Sequence, residues 1–165
     1  MVRNAYTGAC LQRCVYAEAL IKAASKEDHP SVLGTALLQS AIFQLDSAYV
    51  LHLRELAENY SHPEPSIIND AGKLGNFLAE QHIQSAEITE IVALLEDSLS
   101  WLARCLHAYW EFQTGLGAPA KVSHGGVDLY QEGDFQEKIN PEVVRQWQRA
   151  MLELLERHRA LMHEY

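Results

Sequence analysis

The chain has 165 residues, 22 of them acidic against 13 basic, for a formal net charge of -9, and 48% are apolar. That length fits one domain able to bury roughly two thirds of its unfolded surface, so folding needs neither a disulfide scaffold nor a structural metal. The charge repels a phosphate backbone and no Lys/Arg cluster offsets it, which argues against a nucleic-acid partner. No run of about eighteen apolar residues could span a bilayer and no apolar signal segment stands near Met1, so a cytoplasmic protein away from the membrane is expected.

In chain order, the spacing of apolar residues predicts helices almost everywhere. A first helix runs from about Asn4 to Lys26, with Tyr6, Cys10, Ala17, Ile21 and Ala24 on one stripe. Cys10 and Cys14 share a face of it, but no CxxC or HxxxH pair completes a zinc site. With Cys105 they read as buried reduced thiols. Pro30 and Ser31 open a second helix, to about Tyr60, in which Leu38, Ile42, Leu45, Tyr49, Leu53, Leu56 and Tyr60 fall within roughly 80° of arc. His62 and Pro63 stop it. A short helix follows in SIINDAGKLGNFLAEQH, where Gly72 and Gly75 each cost about 1 kcal/mol relative to Ala.

From Ser85 the segment SAEITEIVALLED is helical and runs on into SLSWLARCLHAYWEF, Ser98 to Phe112, with a bend and a second cap near Asp97 and Ser98. Residues 114–139 are rich in glycine and lack a helical period, as an extended strap lying on the other elements would. Asn140 and Pro141 cap and begin the last helix, which reaches about His163. The fold expected is all-α in a single domain, 1–165: an antiparallel bundle of four long helices with two short inserted helices and a long irregular strap before the last helix.

Within Ser98–Phe112 most of the circumference is apolar, leaving a polar wedge of Ser100, Arg104, His107 and Glu111 stacked along one line, the best candidate for binding. Ser100 lies roughly 10 Å along the axis from His107, too far for a nucleophile and its base. Arg13 and Asp46 sit at the edges of the apolar stripes of helices one and two, and an ion pair between them would spare both an unpaired buried charge. His52 and His158 lie in apolar stripes and read as satisfied core or boundary residues. A dinuclear metal bundle needs Glu-x-x-His, which is absent, as are GxGxxG, GxxxxGK[ST], GxSxG and HExxH. No metal and no cofactor are therefore expected.

The segment RHRALMH, Arg157 to His163, resembles the R-x(4-6)-H motif of the HEPN ribonucleases, helical proteins in which an arginine and a histidine meet across a dimer interface. That resemblance implies Arg157 and His163 as catalytic residues. Over nearly the whole chain, the succession of AYT, ALLQSAIFQLDSAYVLHLRELAENY, SLSWLARCLHAYWEF and INPEVVRQWQRAMLELLERHRALM is similar to a family of small all-helical bacterial proteins known only as a domain of unknown function. This second resemblance implies a helical fold and carries no catalytic residue over. The function expected is a non-enzymatic protein-interaction or regulatory module with a protein partner or as a homodimer. A HEPN-like nuclease or its inactive relative is the alternative, and a small-ligand binder with a pocket beside Trp101, Tyr109 and the strap the third reading.

Overall fold

A computed structural model describes residues 4–28, 31–115 and 139–163. Among the described residues there are six α-helices, one 3-10 turn and no strand. They are α1 (Ala5–Ala24), α2 (Val32–Asn59), the 3-10 turn Pro65–Ile67, α3 (Ala71–Glu80), α4 (Ala86–Glu96), α5 (Trp101–Thr114) and α6 (Pro141–His163). Of the strap expected at 114–139, residues 116–138 lie outside the described residues.

Each boundary has a chemical cause. Asn4, Ser31, Asp70, Ser85 and Ser100 each turn a side-chain oxygen onto a first-turn amide of the helix that follows. Asn140 Oδ1 accepts from the amides of Glu142 and Val143 at 3.0 Å, ahead of Pro141, which has no amide to satisfy. The bend expected near Asp97 is a complete break. Asp97 Oδ1 takes the amide of Leu99, and the cap of α5 is Ser100, which also donates to the carbonyl of Leu94.

Two C-termini are closed by a residue other than glycine in left-handed conformation. After α2, Ser61 has φ 57°, with His62 N donating to Ala57 O at 2.8 Å and Ser61 N to Glu58 O at 3.1 Å. After α3, His82 repeats the pattern, with Ile83 N on Leu78 O and His82 N on Ala79 O. Both are Schellman ends in which glycine would be free of strain, while a side chain costs about 1 kcal/mol. Ser61→Gly is accordingly expected to stabilise the protein by about 0.5–1 kcal/mol and to raise Tm by about 1–4 °C in a thermal melt. An unchanged or lower Tm would mean that the serine hydroxyl contributes what the backbone loses.

α2 is the hub: it packs on α1, α5, α6, α3 and the 3-10 turn, while α6 also meets α1 and α5, and α4 meets α3 and α5. Ile42, Leu45, Leu53, Leu56, Ile91, Leu102, Met151 and Leu154 are fully buried at this convergence. Against α2, α1 presents Cys10, Cys14, Ala17 and Ala24, and small side chains at a helix contact shorten the axis separation. Cys10 Sγ even reaches the carbonyl of Ala48, at 3.3 Å. All three cysteines are buried and unoxidised; burial pushes the thiols of Cys10 and Cys105 far up and that of Cys14 to about 11, so they pack as neutral hydrophobes.

Candidate functional site

A network of polar side chains runs through the interior of the described residues. His52 and His158 are both 0% exposed, and their rings stack with centroids 5.1 Å apart, His52 Nε2 lying 2.8 Å from His158 Nδ1. Each outer nitrogen meets a carboxylate: His52 Nδ1 lies 3.0 Å from Glu55 Oε2, and His158 Nε2 lies 3.1 Å from Glu90 Oε2. A continuous chain of three hydrogen bonds thus runs from Glu55 through two imidazoles to Glu90.

Local helix geometry assembles it. His52 and Glu55 are three apart on α2 and so share a face. On α6, Arg157, His158 and Arg159 point about 100° apart in succession, so one turn addresses three neighbours. Arg157 Nη2 donates to Glu90 Oε1 at 2.6 Å on α4. His158 turns into the core. Arg159 grips Glu55 with two bonds, Nε to Oε1 at 2.8 Å and Nη2 to Oε2 at 3.0 Å, and donates to the carbonyl of Thr7 on α1. The Thr7 hydroxyl donates to Glu55 Oε1 at 2.6 Å, while Asn4 Nδ2 donates to the Glu55 carbonyl. Beside His158, Glu87 Oε2 accepts from Tyr60 and Ser85, at 2.8 and 2.7 Å.

These contacts set the ionisation. Burial pushes the Glu55 carboxyl up, but the bonds from His52, Arg159 and Thr7 and the charge of Arg159 outweigh it and hold the group at about 2. Burial likewise raises Glu90, and Arg157 and His158 more than offset it; Glu87 is lowered against its burial by Ser85, its own amide and Tyr60. His158 is lowered, first by burial and then by the charge of His52, against the pull of Glu90 and Glu87. Among the described residues no group of three or more His, Cys, Asp or Glu is placed to hold a metal ion.

The polar wedge of α5 does not act as one line. Ser100 is spent on capping, and Arg104 is exposed. His107 is exposed as well, with Nε2 3.3 Å from Glu111 Oε1 and its ring stacked on Trp110, while the Glu111 side chain is only 13% exposed and its Oε2 is buried without a hydrogen-bond partner among the described residues. Arg13 and Asp46 are not brought together: Arg13 Nη1 donates to Gln44 Oε1 at 3.2 Å, and Asp46, two residues further on and turned about 200° away, sits near Cys105 and Tyr109. Burial raises Asp46 to about 6. Arg157 is held by Glu90, and the side chain of His163 lies outside the described residues. A cavity of about 730 Å³ lies against Gly75, Leu78, Ile83 and Ser85, between α3 and α4 and away from Trp101 and Tyr109.

Sequence reasoning reads His52 and His158 as core or boundary residues and misses their partnership. The available signals were Glu55 inside the apolar stripe of α2, where a carboxylate demands a cation, and the Arg-His-Arg run on α6, which offers two. No helix is long and apolar enough to cross a membrane among the described residues. No curated protein and no solved structure matches the chain. Residues 11–165 match a family described as a family of unknown function, DUF6586, and the chain belongs to that family.

Proposed function

We propose that the protein is a non-enzymatic interaction module that self-associates through the outward face of α1. A single observation carries this reading: α1 is apolar on the side turned away from the core as well as on the side within it. Leu11, Val15 and Tyr16 are 40%, 59% and 44% exposed. With Gly8, Gln12 and Ala19, also exposed, they occupy about 140° of arc, opposite the stripe of Cys10, Cys14 and Ala17. A helix that carries apolar residues on two opposite sides is suited to contact on both.

Charge favours a second copy as the occupant. The chain carries a net charge of -9, so two copies repel unless they meet where neither bears charge. Of the charges on α1, Arg13 is turned to Gln44, and Glu18 and Lys22 neutralise each other at 2.8 Å. α2 adds to the pattern, with no charged residue from Ser31 to Leu45 and with Val32 and Leu33 exposed. Behind this face, α1, α2, α5 and α6 would form the four-helix antiparallel frame, a reading supported by the contacts of α2 with the other three and of α6 with α1 and α5.

Light scattering behind size exclusion should give the wild type a mass above that of one 18.6 kDa chain at micromolar concentration. Val15→Glu, on an exposed helix position that costs the fold little, should return it to the monomer with its helical circular dichroism unchanged and its Tm lowered only by the lost association. A wild type that is monomeric at every concentration sinks the reading.

A further inference from the structure

The chain Glu55–His52–His158–Glu90 has three hydrogen bonds and therefore needs three protons. Both carboxylates are committed as anions: Arg159 grips Glu55 with two bonds and Thr7 adds a third, while Arg157 holds Glu90 at 2.6 Å. The three protons must then reside on the four imidazole nitrogens. Two neutral imidazoles carry only two, so one ring is an imidazolium, and its extra proton lies between the rings. The charge balance of the cluster agrees with that number. Glu55, Glu87 and Glu90 contribute three negative charges and Arg157 and Arg159 two positive, so one proton on the pair makes the cluster neutral.

We propose that His52 and His158 form a single-proton latch that joins α6 to α2 and α4, closed when the pair holds one shared proton and opened by either gain or loss of a proton. A second proton puts two N–H groups face to face across 2.8 Å; loss of the shared one leaves two lone pairs facing each other in one of the three bonds. The direction on the acid side follows from His158, whose burial and whose neighbour His52 oppose its charging: its neutral form is favoured in the fold, so this contribution is intact above the unfolded histidine range and is lost as pH falls through the folded value.

Every element at the latch contributes a group that senses the change. Thr7 on α1 faces Glu55, beside the neutral thiols of Cys10 and Cys14; α2 supplies His52 and Glu55, with Tyr60 just beyond its end; α4 supplies Glu87 and Glu90; α6 supplies Arg157, His158 and Arg159. The output is the grip on α6. Opening the latch weakens its hold on α2 and α4 while the apolar contacts of Met151 and Leu154 remain, so the effect falls on the C-terminal half of that helix.

The test uses the wild-type chain with nitrogen-15 in its histidines. At neutral pH, long-range proton–nitrogen spectra should show one ring protonated on both nitrogens and its neighbour protonated on one alone, with three slowly exchanging N–H protons between Glu55 and Glu90. On acidification the second ring should become doubly protonated, and over the same pH interval amide exchange in residues 155–163 should accelerate at least tenfold while that of Leu45 to Leu53 does not. Two singly protonated rings at neutral pH overturn the proposal, as does a second protonation that leaves amide exchange in 155–163 unchanged. His158→Gln supplies a control: a side chain that does not titrate should abolish the pH step in exchange, and persistence of the step would place its origin elsewhere.

Discussion

Glu55→Ala is expected to destabilise the protein by about 3–5 kcal/mol at neutral pH, the cost of leaving a buried charge without its partner. That loss corresponds to a fall in Tm of about 6–20 °C. The alanine takes both carboxylate acceptors from Arg159, leaving its Nη2 only the Thr7 carbonyl, strands His52 Nδ1 and frees the Thr7 hydroxyl, in a position only 2% exposed. Glu55→Gln keeps the shape and removes the charge, so it should fall between alanine and wild type. The acid limb separates charge from packing. Glu55 moves from an ordinary 4.5 down to about 2 on folding, so its stabilisation, on the order of 3 kcal/mol, is complete above the unfolded value and drains away as pH falls from 4.5 towards 2. Urea titrations across that range should show the component in wild type and lack it in Glu55→Gln. Equal pH dependence in the two proteins would remove Glu55 from the account of acid stability.

Asp46→Asn is expected to act in the opposite sense, stabilising the protein at alkaline pH and leaving it unchanged in acid. Burial lifts the Asp46 carboxyl from 3.8 to about 6, and no ion pair joins it to Arg13 among the described residues. A carboxyl raised on folding favours the fold while protonated; stability declines as pH rises from the unfolded value through the folded one, and the full penalty is present above it. Discounted for partial exposure, the penalty is about 1–2 kcal/mol. Thermal melts should therefore show the Asp46→Asn variant several degrees above wild type at pH 8 and level with it in acid, below the unfolded value of 3.8. A variant no more stable at pH 8 would mean that water reaches the carboxylate along the seam where Phe43 meets Tyr109.

These two carboxylates illustrate what was legible in the sequence. Helix ends were, because a cap is a local event: Asn4, Ser31, Ser85 and Asn140 stand where apolar periodicity begins, and all four cap in the structure. The break before α5 was displaced to Ser100 because Asp97 satisfies a nearby amide instead of opening the helix. Partnerships between helices were less legible. Arg13 and Asp46 were matched as opposite charges at two stripe edges, but rotation along α2 puts Gln44, not Asp46, in reach of Arg13. The buried junction escaped for the same reason on a larger scale. Its members come from α1, α2, α4 and α6, with His52 and His158 separated by 106 residues, and singly each looks like an ordinary core histidine or a solvated charge.

The wedge on α5 shows the converse. Its spacing is as regular as the wheel implies, yet its four residues meet different environments, because Ser100 is used by the backbone and Glu111 is nearly buried while Arg104 and His107 are exposed. Periodicity locates a face; what covers that face depends on other parts of the chain.

The claim that organises the functional reading is that two copies meet on α1, and a photocrosslink reads it directly. With a photoreactive benzophenone side chain at position 12, on the exposed face of α1 and outside the core, irradiation of the full chain at micromolar concentration should yield a dimer band whose joined peptides both come from α1. Irradiation that joins position 12 only to residues of its own chain, or to no peptide at all, would contradict self-association through that face.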